Sequence, residues 1–296
     1  AAAFADLGEA LAAKELDALI VASPGGCHFE HARLALESGI HCLVEKPLTL
    51  TAADALELDR IARERGLTLM PGHTFLFSEP VMELRRRILA GEIGDVLYGY
   101  SQRLSLGAFR SDMGAMLDLA PHDLSIAMHV LGGEPVGVCA QLLSVLDDPH
   151  DDVSFLNVEL DNGATMHIHN SRLDPRKVRQ LTLVGSQGMV VYDDTDAAAP
   201  LRIYDRSAKA HELLGRGSPN ESLAEFRFEQ RDGDVLLPKV GASEPLRNEL
   251  EHFADCVRDG QRPRASARDA ALICATLEAA RRSSEDGGKR VEVSLG

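Results

Sequence analysis

Two short stretches combine proton-handling and charge-bearing side chains: "EKP" at Glu45–Pro47 and "DLAPHD" at Asp118–Asp123. Histidine exchanges protons near neutral pH, and a carboxylate partner can fix its tautomer and raise its basicity. Asp118 and His122 stand four residues apart, the spacing that places two side chains on one helix face. Proline is tolerated in a helix's first turn, so the pattern predicts a helix from about Pro121 to Leu131 with this pair near its positive end. A plainer reading is also open, in which Asp118 or Asp123 caps the helix and His122 packs beside it. Lys46 reads in two ways as well: a cation that polarises a substrate oxygen, or a surface lysine paired with Glu45.

The flanking pattern places these residues. "ALIVA" from Ala18 and "HCLVE" from His41 are short apolar runs suited to parallel strands covered by helices. A helix is predicted over about Cys27–Ser38, stopped by Gly39. A second runs from Thr51 to about Arg65, with Thr51 and Asp54 as a capping pair, Gly66 beyond it and a strand at "LTLM". Strand, helix, strand, helix, strand implies a doubly wound parallel sheet, whose ligands lie beyond the strands' carboxyl ends. "SPGG" and "EKP" lie there. Pro47 has no N–H and a fixed φ, so it turns the chain out of the sheet and limits where Lys46 can point.

The second half differs. After a helix over about Glu79–Ala90 and the turn "GEIGD", period-two runs such as "VLYGYSQRLSL", "VSFLNVEL", "GATMHIHNS" and "MVVYDD" predict a largely antiparallel sheet open on one face. Helices return over about Glu244–Arg258 and Ala267–Arg282, and "KRVEVSL" predicts a last strand. The stretch from Asp196 to Gly241 is weakly patterned.

With 46 acidic and 31 basic residues the formal net charge is -15, and no basic block interrupts it, so nucleic acid is not an expected partner. Five scattered cysteines form no C-x-x-C pair, which argues against a disulfide framework and a thiolate metal site and suits a reducing cytoplasm. No apolar run reaches the length of a membrane span, and the start lacks a signal-peptide layout. A cytoplasmic chain with no membrane partner is expected.

"EKPLTL", "GHTFLF" and "MLDLAPHDLSIAMHVLGG" together resemble the Gfo/Idh/MocA family of nicotinamide-dependent oxidoreductases. The resemblance implies an α/β fold: an incomplete Rossmann-type doubly wound sheet over residues 1–77, and a carboxyl-terminal substrate-binding and oligomerisation domain with a large open sheet over residues 78–296. It implies NAD or NADP as cofactor and hydride transfer to or from a sugar carbon. His122 would then be the general acid/base, Lys46 would polarise the reacting oxygen, and Asp118 would position both. "ASPGGCHFEHA" resembles the cofactor-contacting segment, so Ser23, Pro24, His28, Glu45, Lys46 and Pro47 are expected on the cofactor. A tight turn and helix start explain His28 and Gly25–Gly26 equally well. Arg103, Arg110, Arg172, Arg176 and Lys177 would bind an anionic substrate; the alternative is charges on a solvated sheet face or across a subunit interface. Further phrases resemble members acting on nucleotide sugars, and a homodimer or homotetramer through the open sheet is implied. A ligand sensor without turnover, or a dehydrogenase of free cyclitols, would share the fold. The family's glycine-rich G-x-G-x-x-G turn is not in this sequence, so the chain is expected to be part of a longer protein, about fifty residues larger.

Overall fold

The structure is a computed structural model, described for residues 3–13, 16–107, 112–146, 149–210, 228–241 and 244–295. A short helix, α1 (Leu7–Ala12), precedes three strands, β1 (Ala18–Val21), β2 (His41–Glu45) and β3 (Leu69–Gly72), linked by α2 (His28–Glu37) and α3 (Ala52–Arg65). The strands are parallel in the order β1-β2-β3, with Leu43 of β2 between Ile20 and Met70. On one face Cys42 and Val44 pack on Ala35, Leu36, Ala55 and Leu58; on the other, Leu43 and Met70 pack on Phe253 and Ala265. Each such apolar side chain contributes about 1.5–3 kcal/mol when fully buried. The turn chemistry follows the sequence: Thr51 Oγ1 accepts from Asp54 N at 3.1 Å, and Gly66 closes α3 in the left-handed region at φ 66°.

β1 pairs with β2 alone among the described strands, and Ile20 is half exposed. One expectation shifts here. β3 runs to Gly72 instead of ending at Met70, because an edge strand pairs on one side only and tolerates Pro71.

The chain continues through α4 (Glu79–Leu89), β4 (Val96–Leu106), α5 (Ala115–Leu131), β5 (Pro135–Leu143), β6 (Val153–Leu160), β7 (Thr165–Ser171), β8 (Leu173–Gly185), β9 (Met189–Asp193) and β10 (Leu201–Tyr204). β11 (Ser207–Ala210) and β12 (Phe228–Arg231) pair with each other, and β13 (Val235–Leu236), α6 (Pro245–Asp259), α7 (Ala267–Glu285) and β14 (Val291–Glu292) follow. The large sheet has the order β13-β10-β9-β8-β4-β7-β6-β5-β14. Its pairs are antiparallel except β4 with β7, which run parallel because β4 enters the sheet between strands that follow it in sequence. Leu156, Val158, Met166 and Ile168 point into the core, while Asn157, Thr165 and His167 alternate onto the other face. On that face Tyr98 and Tyr100 are exposed.

α7 is shared between layers: Ala267, Ala270 and Ala271 join the core of the small sheet, and Ile273 to Ala280 join that of the large one. α6 supplies Phe253 to the opposite face of the small sheet. α5 begins at Ala115, not Pro121. Asp151 provides the start that sequence did not reveal, its carbonyl accepting from Ala115 N and its Oδ2 from Met116 N, each at 2.7 Å.

Candidate active site

The carboxyl ends of β2 and β3 face the first turns of α5, and Lys46 spans the gap. Its Nζ donates to Asp118 Oδ1 at 2.7 Å and to the Asp118 carbonyl at 2.8 Å. Pro121 lies inside α5, where it has no N–H for the carbonyl of Leu117. On the other side Arg172, at the end of β7, donates from Nη2 to Asp118 Oδ2 at 2.9 Å and from Nη1 to the Met113 carbonyl at 3.1 Å. Burial alone would raise the Asp118 carboxyl; Lys46 and Arg172 outweigh it and hold the group below its ordinary value.

His122 stands one turn further along α5, with its ring edge-on to Phe75 at 5.1 Å between centroids. Phe75 belongs to the tight turn Thr74–Phe77 that follows β3, and the Arg103 guanidinium lies 4.7 Å from its centroid. Arg103 itself is 7% exposed and pairs with Asp123 at 3.4 Å, while Asn170 Nδ2 donates to the same Asp123 carboxylate at 2.9 Å.

Here the expected Asp118–His122 partnership is corrected. Asp118 holds Lys46 and Arg172, and His122 Nδ1 is buried without a hydrogen-bond partner. Burial, then Arg103, Lys46 and His73, push the imidazole well below its ordinary value, so it is neutral at neutral pH rather than made more basic by a carboxylate. Helix spacing made the pair possible, and two better-placed cations took the aspartate.

The remaining sites separate. His28 presents no free ring nitrogen to a cofactor: Nδ1 bonds the Pro47 carbonyl at 2.7 Å and Nε2 the Ser23 carbonyl at 2.8 Å, so it ties together the two loops that end β1 and β2. Ser23 Oγ bonds His31 Nδ1 at 3.0 Å, Pro24 is exposed, and Pro47, joined to Lys46 by a cis peptide, is buried. Glu45 Oε2 accepts from Lys46 N at 3.3 Å. Arg103 is committed to Asp123 inside the fold, and Arg172 to Asp118 and Met113, which leaves neither guanidinium open as expected for substrate. Arg176 and Lys177 are exposed on β8, and Arg110 lies outside the described residues.

Two titratable groups here were not singled out from sequence. His73, 2% exposed, follows β3 directly, and neither ring nitrogen has a partner; burial, then Lys46, lowers it to about 4. Its place after a strand end, beside "EKP", was the available signal. Glu249 of α6 is fully buried; its Oε2 accepts from Thr74 Oγ1 at 2.7 Å and its Oε1 has no partner. Burial pushes it to about 7, with Glu45 adding to the rise and Thr74 opposing it. Nothing local in the sequence marks Glu249, because its partners lie far away in the chain. Gly72 lets the ends of β2 and β3 meet: a Cβ there would come within 3.1 Å of Glu45 Cα and 3.2 Å of the Val44 carbonyl.

These residues fit the nicotinamide and ribose end of a dinucleotide. The rim Pro24–Gly26 lies at the end of a parallel strand, and a Cβ built on Gly26 would meet only open space. Beside it stand Lys46 and the unpartnered Nδ1 of His122. Among the described residues, no group of histidine, cysteine and carboxylate side chains is arranged to hold a metal ion.

Comparisons with known proteins agree with this geometry. The family described as an oxidoreductase family with an NAD-binding Rossmann fold matches residues 1–73, and the GFO/IDH/MocA C-terminal domain matches residues 81–191. UDP-N-acetylglucosamine 3-dehydrogenase of Acidithiobacillus ferrooxidans is 32% identical over 66% of this chain and 60% of its own length. scyllo-Inositol 2-dehydrogenase (NAD(+)) of Bacillus subtilis is 27% identical over 87% of this chain and 72% of its own. The solved structure of the former superposes with a TM-score of 0.77 and 25% identity, covering 96% of this chain and 83% of that one. A parallel strand-end cleft, the E-K-P and D-x-x-x-H motifs and both matching halves make the chain a member of the Gfo/Idh/MocA oxidoreductase family, with an NAD-binding Rossmann-type amino-terminal region.

Proposed function

We propose that the chain works as an NAD(P)-dependent dehydrogenase on a CH–OH group of a sugar or nucleotide sugar. The observation that carries this reading is the Lys46–Asp118–Arg172 ion cluster at the strand ends beside a neutral His122. A lysine ammonium has three N–H donors, and two of Lys46's are fixed on Asp118, so the third is aimed by the fold and available to a substrate oxygen. The cofactor, when bound, supplies the hydride acceptor or donor. During oxidation Lys46 stabilises the developing negative charge on the oxygen, and His122 takes the hydroxyl proton on a ring nitrogen. In reduction His122⁺ returns it. Arg172 helps keep Asp118 ionised, and Asp118 holds Lys46 in place.

The likeness to a UDP-sugar dehydrogenase supports a nucleotide sugar, and exposed Arg176 and Lys177 offer charge for its anionic part. The exposed tyrosines on the large sheet support pairing of two copies through that face. Five free cysteines suit work in a reducing cytoplasm, and no described helix is long and apolar enough to cross a membrane.

The test is reduction of NAD⁺ and NADP⁺ with a panel of UDP-sugars, aldoses and cyclitols. Lys46→Ala and His122→Ala should each lower kcat about 10²- to 10⁴-fold, the usual range for losing an acid–base group. Turnover unchanged in both variants, or absent with every substrate in a chain that binds cofactor, would overturn the reading and favour a sensor.

A further inference from the structure

On the far side of His73 a cavity of about 240 Å³ lies between α4, the second half of α5 and the start of α7. Arg85 of α4 and Arg264, two residues before the α7 N-cap Ser266, face into it. Neighbouring Arg86, Arg87 and Arg268 pair with Glu83, Glu83 and Glu134 respectively. Arg85 and Arg264 have no carboxylate in ion-pair range among the described residues. Arg85 spends Nε on the His129 carbonyl at 2.9 Å, and Arg264 spends Nη1 on the Leu76 carbonyl at 3.0 Å while stacking 4.8 Å from the Phe77 centroid. Both forks keep donors to spare.

The two carboxylates on the cavity wall are already engaged: Glu134 by Arg268, and Asp269 in the capping box of α7. With Arg268 offsetting Glu134, Arg85 and Arg264 stand against Asp269 alone, which leaves the wall one positive charge in excess in a chain of formal net charge -15. The same field is felt by the wall's own groups. Burial, then Arg85, lowers Arg264, with Glu79 offsetting part of it; burial, then Arg85 and Arg264, pushes His129 down to about 4. His73 forms the inner wall, 2% exposed, with both ring nitrogens unpartnered. A buried polar side chain without a partner calls for an explanation.

We propose that this cavity binds a small oxyanion, a phosphate or a carboxylate, between the guanidinium forks of Arg85 and Arg264, with His73 as the polar group on the inner wall. The planar forks match two oxygens of either group, and the start of α7 adds the positive end of a helix. The volume falls below the roughly 300 Å³ at which pockets for drug-sized ligands begin, so an inorganic phosphate or a short di-acid fits and a dinucleotide does not. This site is independent of the dehydrogenase reading.

The experiment titrates inorganic phosphate, and separately malonate, into the protein by calorimetry and thermal shift, with sodium chloride at matched ionic strength as control. Saturable binding is expected, unchanged by saturating NADH and weakened about tenfold or more by Arg85→Ala. Arg85 is exposed, so its replacement leaves the Phe77 stack of Arg264 intact. The affinities of the two anions identify the preferred source. The proposal is overturned if neither anion acts beyond the chloride control, if Arg85→Ala and Arg85→Glu bind as well as the parent, or if NADH displaces the anion, which would place it in the cofactor cleft.

Discussion

Asp118 and Asp123 belong to one six-residue motif on one helix, yet the fold gives them different work. Asp118 points to the cleft, its side chain 16% exposed, and shares its two oxygens between Lys46 and Arg172. Asp123 points under the large sheet, its side chain 5% exposed; it accepts from Asn170 and pairs with Arg103, whose guanidinium lies over the Phe75 ring that meets His122. Equal chemistry at two depths yields a working charge cluster in one place and a buried brace in the other. A charge network beside solvent can exchange partners during a reaction; a buried one cannot without leaving a desolvated charge.

Replacing each aspartate tests that contrast most strongly. Asp123→Ala should cost about 3–5 kcal/mol of stability, because it strands a buried guanidinium. Asp118→Ala should cost less, about 1–3 kcal/mol, and act chiefly on turnover, because the equally buried Arg172 that it uncovers keeps the Met113 carbonyl as a partner and Lys46 lies nearer solvent. Urea denaturation beside steady-state rates measures both; equal stability losses would erase the distinction.

Glu249 extends the comparison to a buried acid that has no ion-pair partner among the described residues. Its folded value, about 7, lies above the ordinary 4.5, so the folded state keeps the proton longer than the unfolded chain. Its contribution is then fully present below about pH 4.5 and is lost as pH rises to about 7, a fall on the order of 3 kcal/mol. Glu249→Gln should remove that fall, so its stability relative to the parent improves between pH 5 and pH 8 in urea unfolding. A stability difference independent of pH would show that the carboxyl is ionised normally in the fold. The smallest effect is expected from Phe75→Leu, about 1 kcal/mol, through loss of the edge contact to His122 and the face contact to Arg103. A double-mutant cycle with Arg103→Met would register coupling between them, and a coupling of zero would remove Phe75 as the link between brace and site.

The alternation in "VSFLNVEL" and "GATMHIHNS", the capping of α3 by Thr51 and Gly66, and the position of "EKP" at a strand end were all legible because each depends on residues close together in the chain. The start of α5 was not, since its cap comes from Asp151, and neither was β4's insertion beside β7. Arg103 was expected near substrate because it falls among basic residues beside the presumed substrate loops of an acidic chain; its face turns inward, where Asp123 makes burial tolerable.

What the sequence by itself determined was the set of local commitments: which segments are strands and helices, where the chain must turn, and that Lys46, Asp118 and His122 come from elements ending at one cleft. What only the tertiary structure decided was the pairing among charges. Asp118 could have served His122, a cap or a lysine, and the choice fell to distances between segments 72 and 54 residues away, Lys46 and Arg172, where Coulomb attraction at close range and shared burial outweigh the helical spacing that local sequence offers.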